Sequence, residues 1–162
     1  MKKLQYTTND PAASTDYLAG DNTWKTIPGG STTTSKSFMG VLQGSTVSSL
    51  LTSYGCFNYQ TLSPTEAGRI FVVPYACTVS RFYVRIFSAQ SGLGALTFTV
   101  RKNGVDTSIV VTIAAGSAAN TEANSGTSSA TYSAGDDLGF KVVNSAGAVS
   151  ANIHNTSIMV EI

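Results

Sequence analysis

Residues 96–113, in the middle of the chain, read LTFTVRKNGVDTSIVVTI. In the first half of this stretch apolar and polar residues alternate, so an extended strand would carry all its apolar side chains on one face. The dipeptide Asn103-Gly104 follows, and Asn-Gly is the pair that most readily adopts the positive φ angles of a two-residue hairpin turn. The alternation resumes from Ile109 onward. The stretch therefore predicts two antiparallel strands that share one buried face, as in a β-sandwich.

The rest of residues 37–162 repeats this pattern in short segments separated by turns. About eight such strands at regular spacing, without a convincing helix, predict an all-β antiparallel sandwich or barrel. Residues 47–51 fit either a helical turn or a short strand. Ile162 lies in phase with the last segment, which predicts that the C-terminal residue is held in the sheet. The expected strands are 38–42, 57–61, 69–73, 77–87, 96–101, 109–113, 138–142 and 158–162, with a weak edge strand at 130–133.

The segment 77–87 changes phase along its length. Its apolar residues up to Val79 occupy odd positions, whereas those from Phe82 onward occupy even positions. One extra residue in the strand would return both sets to the same face. The change of phase therefore predicts a β-bulge near Ser80 and Arg81.

The chain has 162 residues and is weakly charged. Charged residues make up 12% of it, against about 25% in ordinary soluble domains, and the net charge is +1. Nucleic-acid binding requires clustered Lys and Arg against phosphate, so the composition argues against it. The start MKKLQYTT is basic but has no apolar core behind it, and no apolar run approaches the length of a membrane span. We therefore expect a soluble protein that is not exported by the usual route and is not inserted in a membrane.

Residues with catalytic or metal-binding chemistry are few. His154 is the only histidine, and no acid lies in its own strand. Asp136 and Asp137 lie in an Ala-Gly-Asp-Asp turn, where Asp is favoured because its side chain accepts hydrogen bonds from nearby backbone amides. Cys56 and Cys77 lack the spacing of a zinc site and fit small buried residues, although a disulfide between them stays open. The sequence thus predicts no catalytic residue, no metal site and no cofactor, and a protein that is not an enzyme.

Residues 1–36 differ in composition from the rest of the chain. Turn and linker signals dominate, and residues 28–35 have the composition of a flexible hinge. A short irregular segment cannot bury large apolar side chains alone, so these pack either on a partner or back on the remainder of the chain. We predict a largely irregular segment that serves for docking, through Tyr17, Leu18, Trp24 and Ile27.

One face of the 77–87 strand combines aromatic and cationic residues. The alternation that buries Phe82 places four residues on the opposite face. Aromatic rings mixed with arginine are enriched at protein–protein interfaces, and aromatic rings also serve in sugar-binding surfaces. We predict a surface for subunit contact or for a ligand, and favour subunit contact, at Arg81, Tyr83, Arg85 and Phe87.

Two parts of the chain resemble virion proteins of tailed bacteriophages. Residues 10–27, DPAASTDYLAGDNTWKTI, are similar to a short Ser-Thr-x-Tyr-Leu-x-Gly-Asp-Gly-Thr-Trp segment of phage tail fibres and other virion fibres, with Asn22 in place of the commoner glycine. Residues 68–162, which include LTFTVRKNG and SAGD, resemble the jelly-roll domains of phage fibres and capsid decoration proteins. The resemblance implies a jelly-roll sandwich over residues 37–162 and a homotrimer, with residues 1–36 as its docking or trimerisation segment.

The resemblance also implies a function. We expect a non-enzymatic phage structural protein, made in the host cytoplasm and placed on the virion surface as a capsid decoration, cement or head-fibre protein. Its partners would be further copies of itself and the major capsid protein or another virion protein. The alternative is a receptor-binding tail-fibre tip that recognises host surface carbohydrate or protein. A bacterial carbohydrate-binding module is a third and weaker hypothesis, because the sequence carries no export signal.

Overall fold

The computed structural model describes residues 16–18, 24–26, 36–42, 46–47, 52–57, 61–90, 93–145 and 151–162. In these residues the protein is all-β and contains no helix. The chain divides into two compact units, Met1–Thr33 and Thr34–Ile162.

The first unit contains a short antiparallel hairpin. Its strands are β1 (Asp16–Leu18) and β2 (Trp24–Thr26), and their register places Leu18 opposite Trp24. The sequence predicted a largely irregular segment here and missed this hairpin. Each strand has only three residues, which is too short for a period of two to be recognised.

The second unit contains two antiparallel sheets. The first sheet has the order β10-β7-β13-β3, with β11 also paired to β7 and β4 also paired to β13. Its strands are β3 (Lys36–Leu42), β4 (Thr46–Val47), β7 (Cys77–Ile86), β10 (Glu122–Asn124), β11 (Ser129–Tyr132) and β13 (Ala151–Glu161).

The second sheet has the order β5-β12-β8-β9, with β6 also paired to β12. Its strands are β5 (Thr52–Gly55), β6 (Phe71–Val72), β8 (Leu96–Lys102), β9 (Val105–Ile113) and β12 (Asp137–Asn144). Along the chain, strands of four or more residues lie alternately in the first and the second sheet, except that β8 and β9 both lie in the second. The chain therefore crosses repeatedly from one sheet to the other.

One hydrophobic core lies between the two sheets. Its centre is a group of phenylalanine rings. The ring centroid of Phe82 in the first sheet lies 6.5 Å from that of Phe98 and 5.7 Å from that of Phe140, both in the second sheet. Phe57 packs edge-on against Phe82, with the ring centroids 5.5 Å apart. The predicted all-β arrangement of antiparallel sheets around a shared core is therefore confirmed. The largest fully buried side chains are Phe57, Phe82, Phe98, Phe140, Ile86, Leu96, Ile109, Ile113, Leu138, Ile153 and Ile158.

The hairpin predicted from residues 96–113 is confirmed as β8 and β9. Lys102 pairs with Val105, which leaves Asn103 and Gly104 as the two turn residues. Their φ angles are 49° and 75°, the positive values that a type I′ turn requires. The alternating apolar residues expected from the sequence point into the core, and Phe98 lies opposite Val111. They are Leu96, Phe98 and Val100 of β8 and Ile109, Val111 and Ile113 of β9.

The predicted β-bulge is also confirmed, and it lies in β7. Ser80 pairs with Met159 of β13, and Tyr83 pairs with Ser157, so two residues of β7 oppose one residue of β13. Arg81 adopts a φ of 51° at this point. The extra residue returns the following apolar side chains to the core, because Val79 and Phe82 are both fully buried.

Some predicted strand boundaries were wrong. The strand expected at residues 57–61 lies earlier, at β5, and Phe57 belongs to a turn, while residues 58–60 lie outside the described part. The strand expected at residues 69–73 has only the two residues of β6, and β10 was not anticipated at all. The residues of β10, Glu122-Ala123-Asn124, are all of types depleted in strands, so composition alone points away from this strand. Strand β5 has only four residues, too few for its alternation to be recognised.

The prediction for the C-terminal residue was wrong as well. Strand β13 ends at Glu161, and Ile162 is 50% exposed. Glu161 lies opposite Lys36 of β3, and the two side chains form an ion pair of 3.1 Å. The strand therefore ends in a polar contact, although Ile162 has the right phase for the core.

Candidate binding surface

The outer face of the first sheet carries the mixed aromatic and cationic residues expected from the sequence. Burial alternates along β7: Phe82 and Val84 lie in the core, whereas Tyr83 is 44% exposed. Phe87, directly after the strand, is 59% exposed. Arg81 is exposed, so the alternation places it on the outer side with Tyr83.

A depression lies on this face above the central strand β13. Its floor is formed by residues 157–159, one wall by Arg81 and Tyr83 of β7, and the other wall by Lys36 and Ser37 of β3. Its volume is about 270 Å³. Of the four surface residues predicted on β7, the structure brings Arg81 and Tyr83 to this depression. Arg85 and Phe87 do not line it.

The cations of this face differ in how they are paired. Lys36 contacts Glu161 at 3.1 Å, and Arg85 contacts Glu122 of β10 at 3.4 Å. Among the described residues, Arg81 has no acidic partner within ion-pair distance. Its guanidinium group is therefore the cation of this face that stays available to an outside anion.

Sequence reasoning missed the residues contributed by β3 and β13. These two strands are far apart in sequence and become neighbours only because β3 pairs with β13. The residues they contribute are Lys36, Ser37, Ser157 and Met159. No local pattern signals that pairing. The residues of β7 could be predicted because successive side chains of a single strand point alternately to the core and to the solvent.

The second predicted group lies in the first unit. Tyr17 and Leu18 belong to β1 and Trp24 to β2, and the backbone register places Tyr17 opposite Lys25. Ile27 lies outside the described residues. Three of the four predicted docking residues thus come together on one small hairpin.

A separate polar cluster lies on the second sheet. Arg101 contacts Glu66 at 2.6 Å and also pairs with Asp106, which in turn pairs with Lys141. The pKa of Arg101 is raised, mainly by its hydrogen bond to Glu66. The Arg101 guanidinium also lies 5.5 Å from the centre of the Tyr54 ring. These charges neutralise one another within the fold. The cluster therefore links β8, β9 and β12 through ion pairs. Arg81, in contrast, forms no ion pair among the described residues.

The candidate catalytic residues occupy unremarkable positions. Asp136 lies in the turn before β12 and accepts a hydrogen bond of 2.7 Å from the backbone N–H of Ser133. His154 lies within β13. Cys56 and Cys77 are not joined by a disulfide, and burial raises the pKa of the Cys77 thiol, which disfavours its nucleophilic thiolate form.

The described residues contain neither a metal-holding cluster nor a membrane-spanning helix. Within that part of the chain, no group of three or more His, Cys, Asp or Glu side chains is arranged to hold a metal ion. None of the described segments forms a helix with the length and apolar character needed to cross a bilayer.

Comparison with known proteins gives no assignment. No protein-family model matches the chain, and no curated protein shows significant similarity to it. The class that the structure defines is thus an all-β protein with two antiparallel sheets around one core, and a basic and aromatic depression on the outer face of the first sheet.

Proposed function

We propose that this chain is a non-enzymatic structural protein of a tailed-bacteriophage virion, which decorates the capsid surface as a homotrimer. The observation that carries the proposal is the nesting of the strand pairs in the second unit, combined with a fibre-like segment that forms a unit of its own. Jelly rolls are a recurrent architecture of viral capsid domains. The nesting is therefore the feature of the fold that points toward a virion.

The strand pairs support a jelly-roll topology. Eight strands in the described part of the second unit have four or more residues: β3, β5, β7, β8, β9, β11, β12 and β13. The first pairs with the last, the second with the seventh, the third with the sixth, and the fourth with the fifth. Such nesting results when one long hairpin is rolled into two facing sheets, which is the plan of a jelly roll.

The first unit supports a docking role for the N-terminal segment. The β1–β2 hairpin lies within residues 10–27, the part of the chain that resembles phage fibres. A separate unit in front of a β-domain suits an attachment element, because it can bind a capsid without disturbing the core of the domain. In this proposal Tyr17, Leu18 and Trp24 contact the capsid or a neighbouring copy of the chain.

Capsid attachment can be tested directly. Purified protein is mixed with capsids from a phage strain that lacks it, and binding is measured by co-sedimentation. We expect Trp24→Ala to abolish binding, whereas Lys25→Ala, the adjacent residue of the same strand, should bind as the unchanged chain does. Equal binding by the Trp24→Ala protein would overturn the docking role of the hairpin.

The oligomeric state has its own test. Light scattering should give the mass of three chains of 16.8 kDa each for the 162-residue chain. The same measurement on residues 34–162 separates two arrangements. Loss of the trimer would place the subunit contacts in the first unit, and its persistence would place them in the second. A monomer for both proteins would contradict the proposed homotrimer.

A further inference from the structure

The depression on the outer face of the first sheet lies beside the β-bulge in β7. The bulge sets two residues, Arg81 and Phe82, opposite the single residue Ile158 of β13. Phe82 turns into the core, and Arg81 is exposed at the rim of the depression. Bulges frequently re-aim a side chain beside a functional site. Here the re-aimed side chain is the arginine.

Arg81 adopts an unfavourable backbone conformation at this position. Its φ of 51° lies in the left-handed region, which a non-glycine residue rarely occupies. Asn and Asp tolerate that region best, and a long side chain has no conformational reason to be there. Strain of this kind clusters at ligand sites, where the side chain rather than the backbone preference is what matters.

The charges around the depression favour a single anionic group. Lys36 is paired with Glu161, so the available positive charge is that of Arg81. A guanidinium group presents a planar fork of N–H donors that fits a carboxylate in two parallel hydrogen bonds. One unpaired arginine matches one carboxylate.

The remaining walls favour a ligand with hydroxyl groups and a carbon ring. Ser157 and Tyr83 supply hydroxyls that both donate and accept hydrogen bonds. The half-exposed ring of Tyr83 and the thioether of Met159 provide apolar surface beside them. A sugar ring presents this same combination of hydroxyls and C–H surface.

The backbone beneath the depression argues against an extended peptide. Ser157 and Met159 pair with β3 on one side and with β7 on the other, whereas Ile158 pairs with β3 and faces the bulge in β7. The backbone of Ser157 and Met159 is therefore engaged in the sheet, so the floor of the depression offers no free strand edge to an added strand. Recognition at this place must use side chains, and the volume of about 270 Å³ limits the ligand to a small group.

We propose that this depression binds a carboxylate-bearing sugar unit, of the class of the hexuronates, with the carboxylate on Arg81 and the sugar ring against Tyr83. The site is distinct from the N-terminal hairpin proposed for capsid attachment. It gives the particle a second contact, directed to acidic polysaccharide. The two proposals fail independently, because capsid binding through residues 10–27 does not involve Arg81.

The test uses the full-length protein labelled with ¹⁵N. Sodium D-glucuronate, D-glucose and sodium acetate are titrated separately at constant ionic strength, and the backbone amide shifts of Arg81, Tyr83 and Ser157 are followed. We expect glucuronate to shift these three amides in a saturable manner, and glucose and acetate each to bind at least about tenfold more weakly. Equal binding of glucose would overturn the role of the carboxylate, and equal binding of acetate would mean an adventitious ion only.

Variants localise the binding. Arg81→Asn removes the guanidinium but keeps a residue that tolerates the positive φ, so the fold is preserved. It should weaken glucuronate binding by about tenfold or more. Arg69→Gln, which removes an arginine beside the second sheet, serves as the matched control and should change the affinity by less than about twofold. Unchanged binding by Arg81→Asn, or tighter binding of N-acetyl-glutamate amide than of glucuronate, would contradict the proposal.

Discussion

Thr156 is a residue whose chemistry conflicts with its surroundings. Its side chain is completely buried on β13, opposite Val84 of β7 and Val41 of β3. Among the described residues, its hydroxyl oxygen has no hydrogen-bond partner. A buried hydroxyl without a partner costs about 1–3 kcal/mol, because its hydrogen bonds to water are lost on folding and not replaced.

We therefore predict that Thr156→Val stabilises the protein. Valine has nearly the same shape as threonine and carries no group that needs a hydrogen bond, so the free energy of unfolding should rise by about 1 kcal/mol. Urea denaturation followed by circular dichroism measures the change. Thr156→Ala is the control, and should not stabilise, because it leaves a cavity. A loss of stability in the valine variant would mean that the hydroxyl is hydrogen-bonded in solution.

Gly139, unlike Thr156, is a residue whose type fits its surroundings: the neighbouring backbone leaves no room for a side chain. A Cβ atom at this position would lie 2.8 Å from the carbonyl oxygen of Arg69 and 3.3 Å from that of Gly55. Both obstacles belong to the backbone and cannot rotate away. The strand β12 can run between these segments only because residue 139 has no side chain.

Gly139→Ala should therefore destabilise the protein by about 1–3 kcal/mol, the usual cost of forcing extra atoms into a packed interior. Thermal unfolding is a sufficient measurement. Gly68→Ala is a matched control, since nothing lies within 4 Å of the atom it adds. If the two variants were equally stable, β12 would have more freedom than the contact distances imply.

At the scale of elements, two turns are fastened together by Asp136. Its carboxylate accepts a hydrogen bond from the Ser133 backbone N–H and another of 2.7 Å from the Asn103 side chain, and it lies 3.0 Å from the Lys102 ammonium group. These contacts lower the pKa of Asp136 to about 2, with the Ser133 hydrogen bond as the main cause. The turn before β12 is thereby attached to the Asn103-Gly104 turn of the hairpin.

The lowered pKa predicts a defined dependence of stability on pH. A carboxyl group with a lower pKa in the folded state stabilises the fold above its unfolded pKa of about 3.9 and loses that contribution as the pH falls toward 2. Asp136→Asn should therefore be less stable than the unchanged chain at pH 7, and the difference should shrink between pH 4 and pH 2. Urea unfolding at several pH values measures this, and a difference that stayed constant would contradict it.

The elements differ in how well the sequence predicts them. Strands β8, β9 and β12 and the bulge in β7 follow from alternation, because seven or more residues share one pattern and one side faces the core. Strands β5, β6 and β10 have two to four residues, and neighbouring strands rather than their own composition hold them in place. Short strands of this kind are set by tertiary pairing, which a local pattern does not contain.

At the scale of the whole molecule, all the core residues whose burial the structure describes belong to the second unit. Every residue of the buried cluster lies between Val47 and Val160. We therefore predict that residues 34–162 alone keep the β-type circular dichroism spectrum and unfold in a single cooperative transition. Loss of cooperativity in this shortened chain would show that the first unit is needed for the fold.

The residues of the candidate site also differ in how well the sequence predicts them. Arg81 and Tyr83 follow from the alternation of a single strand, whereas Lys36 and Ser157 reach the site through β3 and β13. The unpaired state of Arg81 is likewise invisible in the sequence, since it depends on which acids the fold places elsewhere. Sequence reasoning therefore finds one wall of the depression and not the other.

The central position of β13 has a consequence for how the chain is made. β13 lies between β3 and β7, and β3 has no other strand partner among the described residues. During synthesis, β3 must therefore wait outside the ribosome until almost the whole second unit has followed it. Pairing of segments so far apart in sequence is slow, and unpaired strand edges invite aggregation in the meantime. A product cut short before β13 cannot complete the first sheet, so the fold itself discriminates against prematurely terminated chains.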